Sequence, residues 1–91
     1  MKTEIINGKK VKIYDNGGKT FDRITAVYLD YPERDKKLFE ARAMSKSCHD
    51  VLVLGFCQMT SATLGRHLGK RVAFADLPKM NQNLIRYDLN N

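Results

Sequence analysis

The stretch Asp22-Arg23-Ile24-Thr25-Ala26-Val27-Tyr28-Leu29-Asp30-Tyr31 decides how the rest of the chain is read. β-Branched and aromatic residues dominate it, which is the composition of a strand. Strand alternation puts Ile24, Ala26, Tyr28 and Asp30 on one face and Thr25, Val27, Leu29 and Tyr31 on the other. Both faces are largely apolar, so the strand is expected at the centre of a sheet with cover on both sides. Pro32 lacks the ladder donor and is expected to end it. Glu33 to Lys37 reads as a charged turn.

Before this strand, residues 4–6 and 11–14 are short apolar runs joined by Asn7-Gly8-Lys9-Lys10. Asn-Gly between β-prone runs signals a hairpin, because both residues tolerate positive φ. Asp15 to Lys19 reads first as a turn between strands. Its glycines also leave open a concave anion site built from backbone amides. After the central strand, residues 38–45 are compatible with a short helix or a strand. The strand is preferred, because a hairpin back onto residues 22–31 buries Phe39, Ala41 and Ala43 together. Ser45 to Asp50 is a polar loop. Val51 to Cys57 is continuously apolar and predicts a buried strand bent at Gly55. Met59 to Leu64 predicts a short helix capped by Thr60 or Ser61. Arg71 to Phe74 predicts a last short strand. Asp76 then caps a helix with Pro78 in its first turn. Leu77, Leu84, Ile85 and Leu89 share one face of that helix, flanked by Met80 and Tyr87. The expected fold is α+β: a single domain over residues 1–91, with a small antiparallel sheet, flat or curled, and a C-terminal helix packed on it.

Composition bounds the function. An apolar share of 43% and a charged share of 29% belong to a globular protein, not a disordered one. At 91 residues the core is small and its stability marginal, so a homo-oligomer is among the expectations. Sixteen Lys and Arg against ten Asp and Glu give +6. That balance excludes a mimic of DNA and favours an anionic partner. The chain opens without a secretion signal, and no apolar run approaches the ~20 residues a bilayer span needs. The expectation is a cytoplasmic protein without a membrane partner, its Cys48 and Cys57 reduced.

The densest polar chemistry is Gly65-Arg66-His67-Leu68-Gly69-Lys70-Arg71. Arginine offers bidentate phosphate contacts that lysine cannot, and the glycines offer backbone amides beside the charges. Arg66, His67, Lys70 and Arg71 are therefore the candidate ligand residues. Ser45 and Gln58, polar residues flanking apolar strands, join them as readers of a nucleobase edge. The competing reading gives the same stretch a packing role and a solvated surface. Other chemistries fare worse. Cys48 and His49 are neighbours that a strand would point apart, and Cys57 reads as a buried small hydrophobe. Cys48, His49, Cys57 and His67 lack zinc-ligand spacing. Asp15, Asp22, Asp30, Asp50 and Asp76 are scattered over turns and strand ends, where aspartate serves local hydrogen bonding. No catalytic residue, metal or cofactor is expected.

In order along the chain, Tyr14-Asp15-Asn16-Gly17-Gly18-Lys19, Asp22-Arg23-Ile24-Thr25, Ala43-Met44-Ser45, Gly55-Phe56-Cys57-Gln58, Gly65 to Arg71 and Leu77-Pro78 form a succession. Through them the chain resembles a group of small uncharacterised proteins of bacteriophages and other mobile elements. That group is rich in proline between Met-Ser and Gly-Phe, whereas Lys46 to Leu54 has none. The resemblance implies a phage setting and brings no activity or site residue with it. The resulting expectation is a non-enzymatic accessory protein that binds a nucleotide or another phosphate-bearing ligand. In a phage setting it would act in counter-defence, by sequestering a nucleotide signal or blocking a host defence protein. The alternatives are nucleic-acid binding through the basic surface and, last, a small nucleotide-processing hydrolase or transferase. The first of these lacks a helix-turn-helix or RNP-like signature.

Overall fold

The computed structural model describes residues 3–20, 22–32, 37–46 and 57–90; of residues 57 and 58 it describes the backbone alone. The first hairpin joins β1 (Glu4–Ile6) to β2 (Lys9–Asp15), with Glu4 opposite Val11 and Ile6 opposite Lys9. Asn7 at φ 50° and Gly8 at φ 77° supply the two positive angles of the turn, as the Asn-Gly pair predicts.

β3 (Ile24–Pro32) lies between β2 and β4 (Leu38–Met44), the central position expected of it. It begins two residues later than expected and runs through Pro32, which pairs with Phe39 at the strand end. The register shifts between Tyr28 and Pro32. That irregularity moves Tyr31 away from the face of Val27 and Leu29, and Tyr31 packs with the cluster of Tyr28 instead. Residues 38–44 form a strand, not a helix.

Two expectations fail on the C-terminal side. Residues 57–63 form β5 (Cys57–Thr63), paired along its whole length with β4 from Leu38↔Thr63 to Met44↔Cys57. No helix starts at Thr60 or Ser61. The hydroxyls that suit a helix cap suit a strand equally, and seven paired residues on the edge of β4 outweigh a local capping preference. The strand expected from Val51 lies outside the described residues except for Cys57, which opens β5. Likewise the expected strand 71–74 shrinks to β6 (Lys70–Arg71), antiparallel to the end of β2. One further bond, from the Val72 amide to the Ile13 carbonyl, continues it at 3.0 Å. Phe74–Asp76 is a 3₁₀ turn.

The helix α1 (Lys79–Asp88) follows Pro78, which stands before it and not in its first turn. Asp76 does not cap it, because extended Pro78 intervenes (φ −55°, ψ 149°). Gln82 reaches back instead, donating from Nε2 to the Leu77 carbonyl at 2.9 Å. Asn90 lies beyond the helix.

The sheet is open, in the order β1-β2-β3-β4-β5, with β6 continuing the β1 edge of β2. Each face carries its own core. On the first, the helix face, Leu77, Leu84, Ile85 and Leu89 pack on Ile6, Val11, Ile13, Ile24, Ala26, Tyr28 and Met44. The flanking Met80 and Tyr87 are exposed. On the second, Tyr14, Val27, Ala41 and Ala62 are buried, with Phe39 and Leu29 beside them. The segment from β5 to β6 crosses this face, and its Leu64 and Leu68 pack on that cluster. The result is an α+β fold whose sheet is covered by a helix on one side and by a crossover on the other. Among the described residues no helix is long and apolar enough to cross a membrane.

Leu84 is 1% exposed. Leu84→Ala should cost about 2–5 kcal/mol in denaturant unfolding, the range for a leucine truncated in a packed core. A loss under ~1 kcal/mol would remove α1 from the core.

Candidate functional site: the basic crossover face

The crossover is shaped by its glycines. Residues Arg66–Leu68 form a 3₁₀ turn, closed by the Leu68 amide on the Gly65 carbonyl (3.1 Å) and the Gly69 amide on the Arg66 carbonyl (3.0 Å). Gly69 has φ 109°. A Cβ at this position would stand 2.6 Å from the Asn16 Cα and closer still to the Asp15 carbonyl oxygen. Glycine is thus required by backbone angle and by close approach together. The surface it lands on is the turn after β2. There Asp15 Oδ1 accepts from the Gly17 amide at 2.8 Å and from Arg23 Nε at 2.7 Å. Asn16 Oδ1 accepts from the amides of Gly18 and Lys19. The amides considered for an anion site are therefore bonded within the turn, and the loop is a structural one. The Arg23 hydrogen bond holds the Asp15 carboxyl below its ordinary range, with smaller help from the Gly17 amide and the Lys46 charge, against burial.

The expected ligand residues do not converge. Lys70 and Arg71 are consecutive in a strand, so they project to opposite faces. Lys70 stands opposite Asp15, on the helix face, and is exposed. Arg71 stands opposite Tyr14 on the crossover face, its guanidinium carbon 5.5 Å from the Tyr14 ring centroid. Arg66 and His67 are exposed on the crossover, with His67 Nε2 3.3 Å from Thr63 Oγ1. Ser45 follows β4, and its carbonyl accepts from Asn81 Nδ2 of α1 at 2.9 Å, which ties it to the helix side. Gln58 is paired with Ala43, and its side chain lies outside the described residues. A bend at Gly69 bringing Arg66, Lys70 and Arg71 onto one phosphate is not what the fold makes.

Strand parity sorts the charges instead. Val11 and Ile13 are buried on the helix face, which puts Lys10 and Lys12 with Tyr14 on the crossover face. Ile5, opposite Lys10, is 62% exposed there. The other register positions of this face are Thr25, Val27 and Leu29 on β3, Phe39, Ala41 and Ala43 on β4, and Thr60 and Ala62 on β5. None is acidic. Glu4, Asp15 and Glu40 fall on the helix face, while Asp30, at the register shift of β3, accepts from the Lys10 amide at 2.9 Å. The face with Arg71 therefore adds Lys10 and Lys12, which the sequence puts in the first turn and in the run 11–14. Their even-numbered spacing on β2 was the available signal.

A buried polar group lies on the helix side. Asp88 Oδ2 accepts from the Tyr28 hydroxyl at 2.8 Å and stands 3.1 Å from Arg42 Nε. Burial pushes the Asp88 carboxyl above its ordinary value, against the Tyr28 hydrogen bond and the Arg42 charge. Burial, reinforced by the Asp88 charge, pushes the Tyr28 phenol up as well. Arg42 and Asp88 were absent from the candidate residues. Their signals were parity with Met44 on β4 and the one-turn spacing of Asp88 from Leu84 on α1. The group clamps helix to sheet and faces no described cavity. Among the described residues, no three His, Cys, Asp or Glu gather in a way that would hold a metal. No family model, no curated protein and no solved structure matches the chain.

The two crossover glycines should respond differently to alanine. Gly69→Ala meets backbone at a positive φ and should cost roughly 1–3 kcal/mol or more. Gly65 also has a positive φ, 155°, but there a Cβ meets the His67 ring at 2.9 Å, the movable end of a side chain and not backbone, so Gly65→Ala should cost less. Urea titrations of both variants check this; equal costs would dissolve the assigned contact between Gly69 and the Asp15–Asn16 turn.

Proposed function

We propose that this chain is a non-enzymatic binding protein that engages an extended polyanion, a nucleic acid strand, through its crossover face. The observation that carries the reading is the sorting of charge by strand parity. Lys10, Lys12 and Arg71 share a face whose paired sheet positions hold no acid, Arg66 and His67 stand exposed on the crossover that covers it, and Asp30, at the register shift of β3, is the acid beside Lys10. Lys10 and Lys12 are about 7 Å apart along β2, two residues at the strand rise, so they reach successive points on a chain-like ligand. Cations spread in this way supply a field and several separate phosphate contacts, not an enclosed clamp on a single phosphate. Exposed Ile5 and the partly buried Phe39 add apolar surface on the same side. Binding without catalysis accords with the engagement of the notable titratable groups in structure, Asp15 with Arg23 and Asp88 with Tyr28 and Arg42. In the phage setting that the resemblance implies, such a protein is an accessory factor, and counter-defence by occupying a nucleic acid or a nucleotide signal is one use of it.

Fluorescence anisotropy with labelled single-stranded and duplex oligonucleotides across a salt series tests the reading. Affinity should fall linearly on a log–log plot. Lys12→Gln and Arg66→Gln should each flatten the slope by about 0.7 on a single strand or about 0.9 on a duplex. Arg66→Lys should change little, because charge is retained. Lys70→Gln, on the opposite face, should leave the slope nearly unchanged. Binding of a mononucleotide that survives high salt and is lost in Arg66→Lys would replace this reading with a small-ligand site.

A further inference from the structure

We infer that Asn7 is a self-modification site, where the chain converts its own asparagine to aspartate or isoaspartate and so weakens the hold of the first hairpin on the end of α1. The chemistry belongs to the pair Asn7-Gly8. The Gly8 nitrogen attacks the Asn7 Cγ, and its proton leaves with the side-chain nitrogen as ammonia. A cyclic imide joins the residues until water opens it at one of its carbonyls. Water is consumed, ammonia is released, and no oxidant, reductant or enzyme takes part. Glycine favours the step because it has no Cβ to obstruct the approach of its nitrogen.

The sequence holds this pair twice, at Asn7-Gly8 and at Asn16-Gly17. Crowding does not separate them, since a Cβ built on Gly8 or on Gly17 meets nothing within 4 Å. Hydrogen bonding does. Asn16 Nδ2 donates to Thr20 Oγ1 at 2.9 Å and to the Asp22 carbonyl at 3.3 Å, and Asn16 Oδ1 accepts from the Gly18 and Lys19 amides. The nitrogen that would attack there, that of Gly17, donates to Asp15 Oδ1 at 2.8 Å. Electrophile and nucleophile are both held, and the Gly69 backbone lies against the same turn. The side chain of Asn7 makes one bond among the described residues, from Nδ2 to the Arg86 carbonyl at 3.1 Å, and none of their side chains accepts from the Gly8 amide. Both residues of the turn are exposed, and β1 beside it has three residues and stands at the end of the strand order. So short an outer strand opens locally at small cost, which frees Asn7 to bring its Cγ to Gly8.

The bond to Arg86 gives the conversion its consequence. The last carbonyls of a helix have no partner inside it. At the end of α1 the Ile85 carbonyl accepts from the Leu89 amide and the Tyr87 carbonyl from the Asn90 amide. The Arg86 carbonyl between them accepts from Asn7. Aspartate at this position has no donor to offer and sets a negative charge against the negative end of the helix dipole. Isoaspartate also lengthens the backbone within a turn that depends on positive φ at residues 7 and 8. Either product loosens the hairpin from the helix, and it does so whether or not the crossover face binds nucleic acid.

Peptide mapping by mass spectrometry, on the full chain held at mildly alkaline pH, tests the site. In the folded chain Asn7 should convert to the acid several-fold faster than Asn16. In urea the two should convert at similar rates, since the same pair stands at both places. An Asn16 that converts as fast as Asn7 in the folded chain overturns the inference, and so does an Asn7 that stays intact there. Asn7→Asp tests the consequence, and its urea midpoint should lie below that of the wild type. A midpoint equal to the wild type's overturns the hold on α1. If that variant does not fold, the comparison of rates on the wild type decides.

Discussion

The chain returns from β5 to the far edge of β2 across the second face of the sheet, and the backbone at residue 69 must pass against the Asp15–Asn16 turn to do so. A side chain at that point would overlap the Asp15 carbonyl and the Asn16 Cα. The landing surface is itself rigid, because Asp15 and Asn16 spend their side-chain oxygens on the amides of Gly17, Gly18 and Lys19 and on Arg23. Once the crossover is seated, Leu64 and Leu68 cover Tyr14, Val27 and Ala41, and Lys70 and Arg71 fall into register with the end of β2. Without it the sheet would keep its helix on one side and leave an apolar face to water on the other. A domain this small has little other buried surface to draw on.

The same seating decides where the positive charge goes. In sequence, Gly65 to Arg71 is one basic cluster. In the fold, Arg66 and His67 ride on the exposed turn, Arg71 lies over Tyr14, and Lys70 goes to the opposite face beside Asp15. The cluster is dispersed, and in exchange the crossover face gains Lys10 and Lys12 from β2. Glu4, Asp15 and Glu40, meanwhile, lie on the face that α1 covers, where Asp88 meets Arg42 and Tyr28. A scaffold built in this way gathers Lys10, Lys12 and Arg71 on the crossover side of the sheet.

What could be read from the residues was the locally encoded part. Asn7-Gly8 specifies its turn through two positive φ angles, the alternation of residues 24–29 specifies a two-sided strand, and Leu84, Ile85 and Leu89 specify the buried face of a helix. Residues 59–63 read as a helix start because serine and threonine serve caps and strands alike, and only pairing with β4 decides between them. Lys70 and Arg71 go to opposite faces and Ser45 to the helix side, since proximity in sequence says nothing about parity in a strand whose existence depends on a distant partner. Arg42 and Asp88 escaped notice for a related reason: each reads as a surface charge until the sheet and helix bring them together. In sequence, Gly65 and Gly69 offer backbone amides beside the charges. In the fold Gly69 lets backbone approach backbone, and Gly65 holds a positive φ beside the His67 ring.

The crossover is the element on which both the packing and the charge distribution rest, so its contact with the sheet is what to measure. In a ¹³C-edited NOESY spectrum of the methyl-labelled protein, the Leu68 and Leu64 methyl groups should show cross-peaks to the buried cluster of Tyr14, Val27, Ala41 and Ala62. The same spectrum should connect α1 to the opposite face through Leu84 and Ile85. Helix contacts without any cross-peak from Leu64 or Leu68 to that cluster would contradict the account, because the second face would then be uncovered and Arg66 and His67 would have no fixed place beside it.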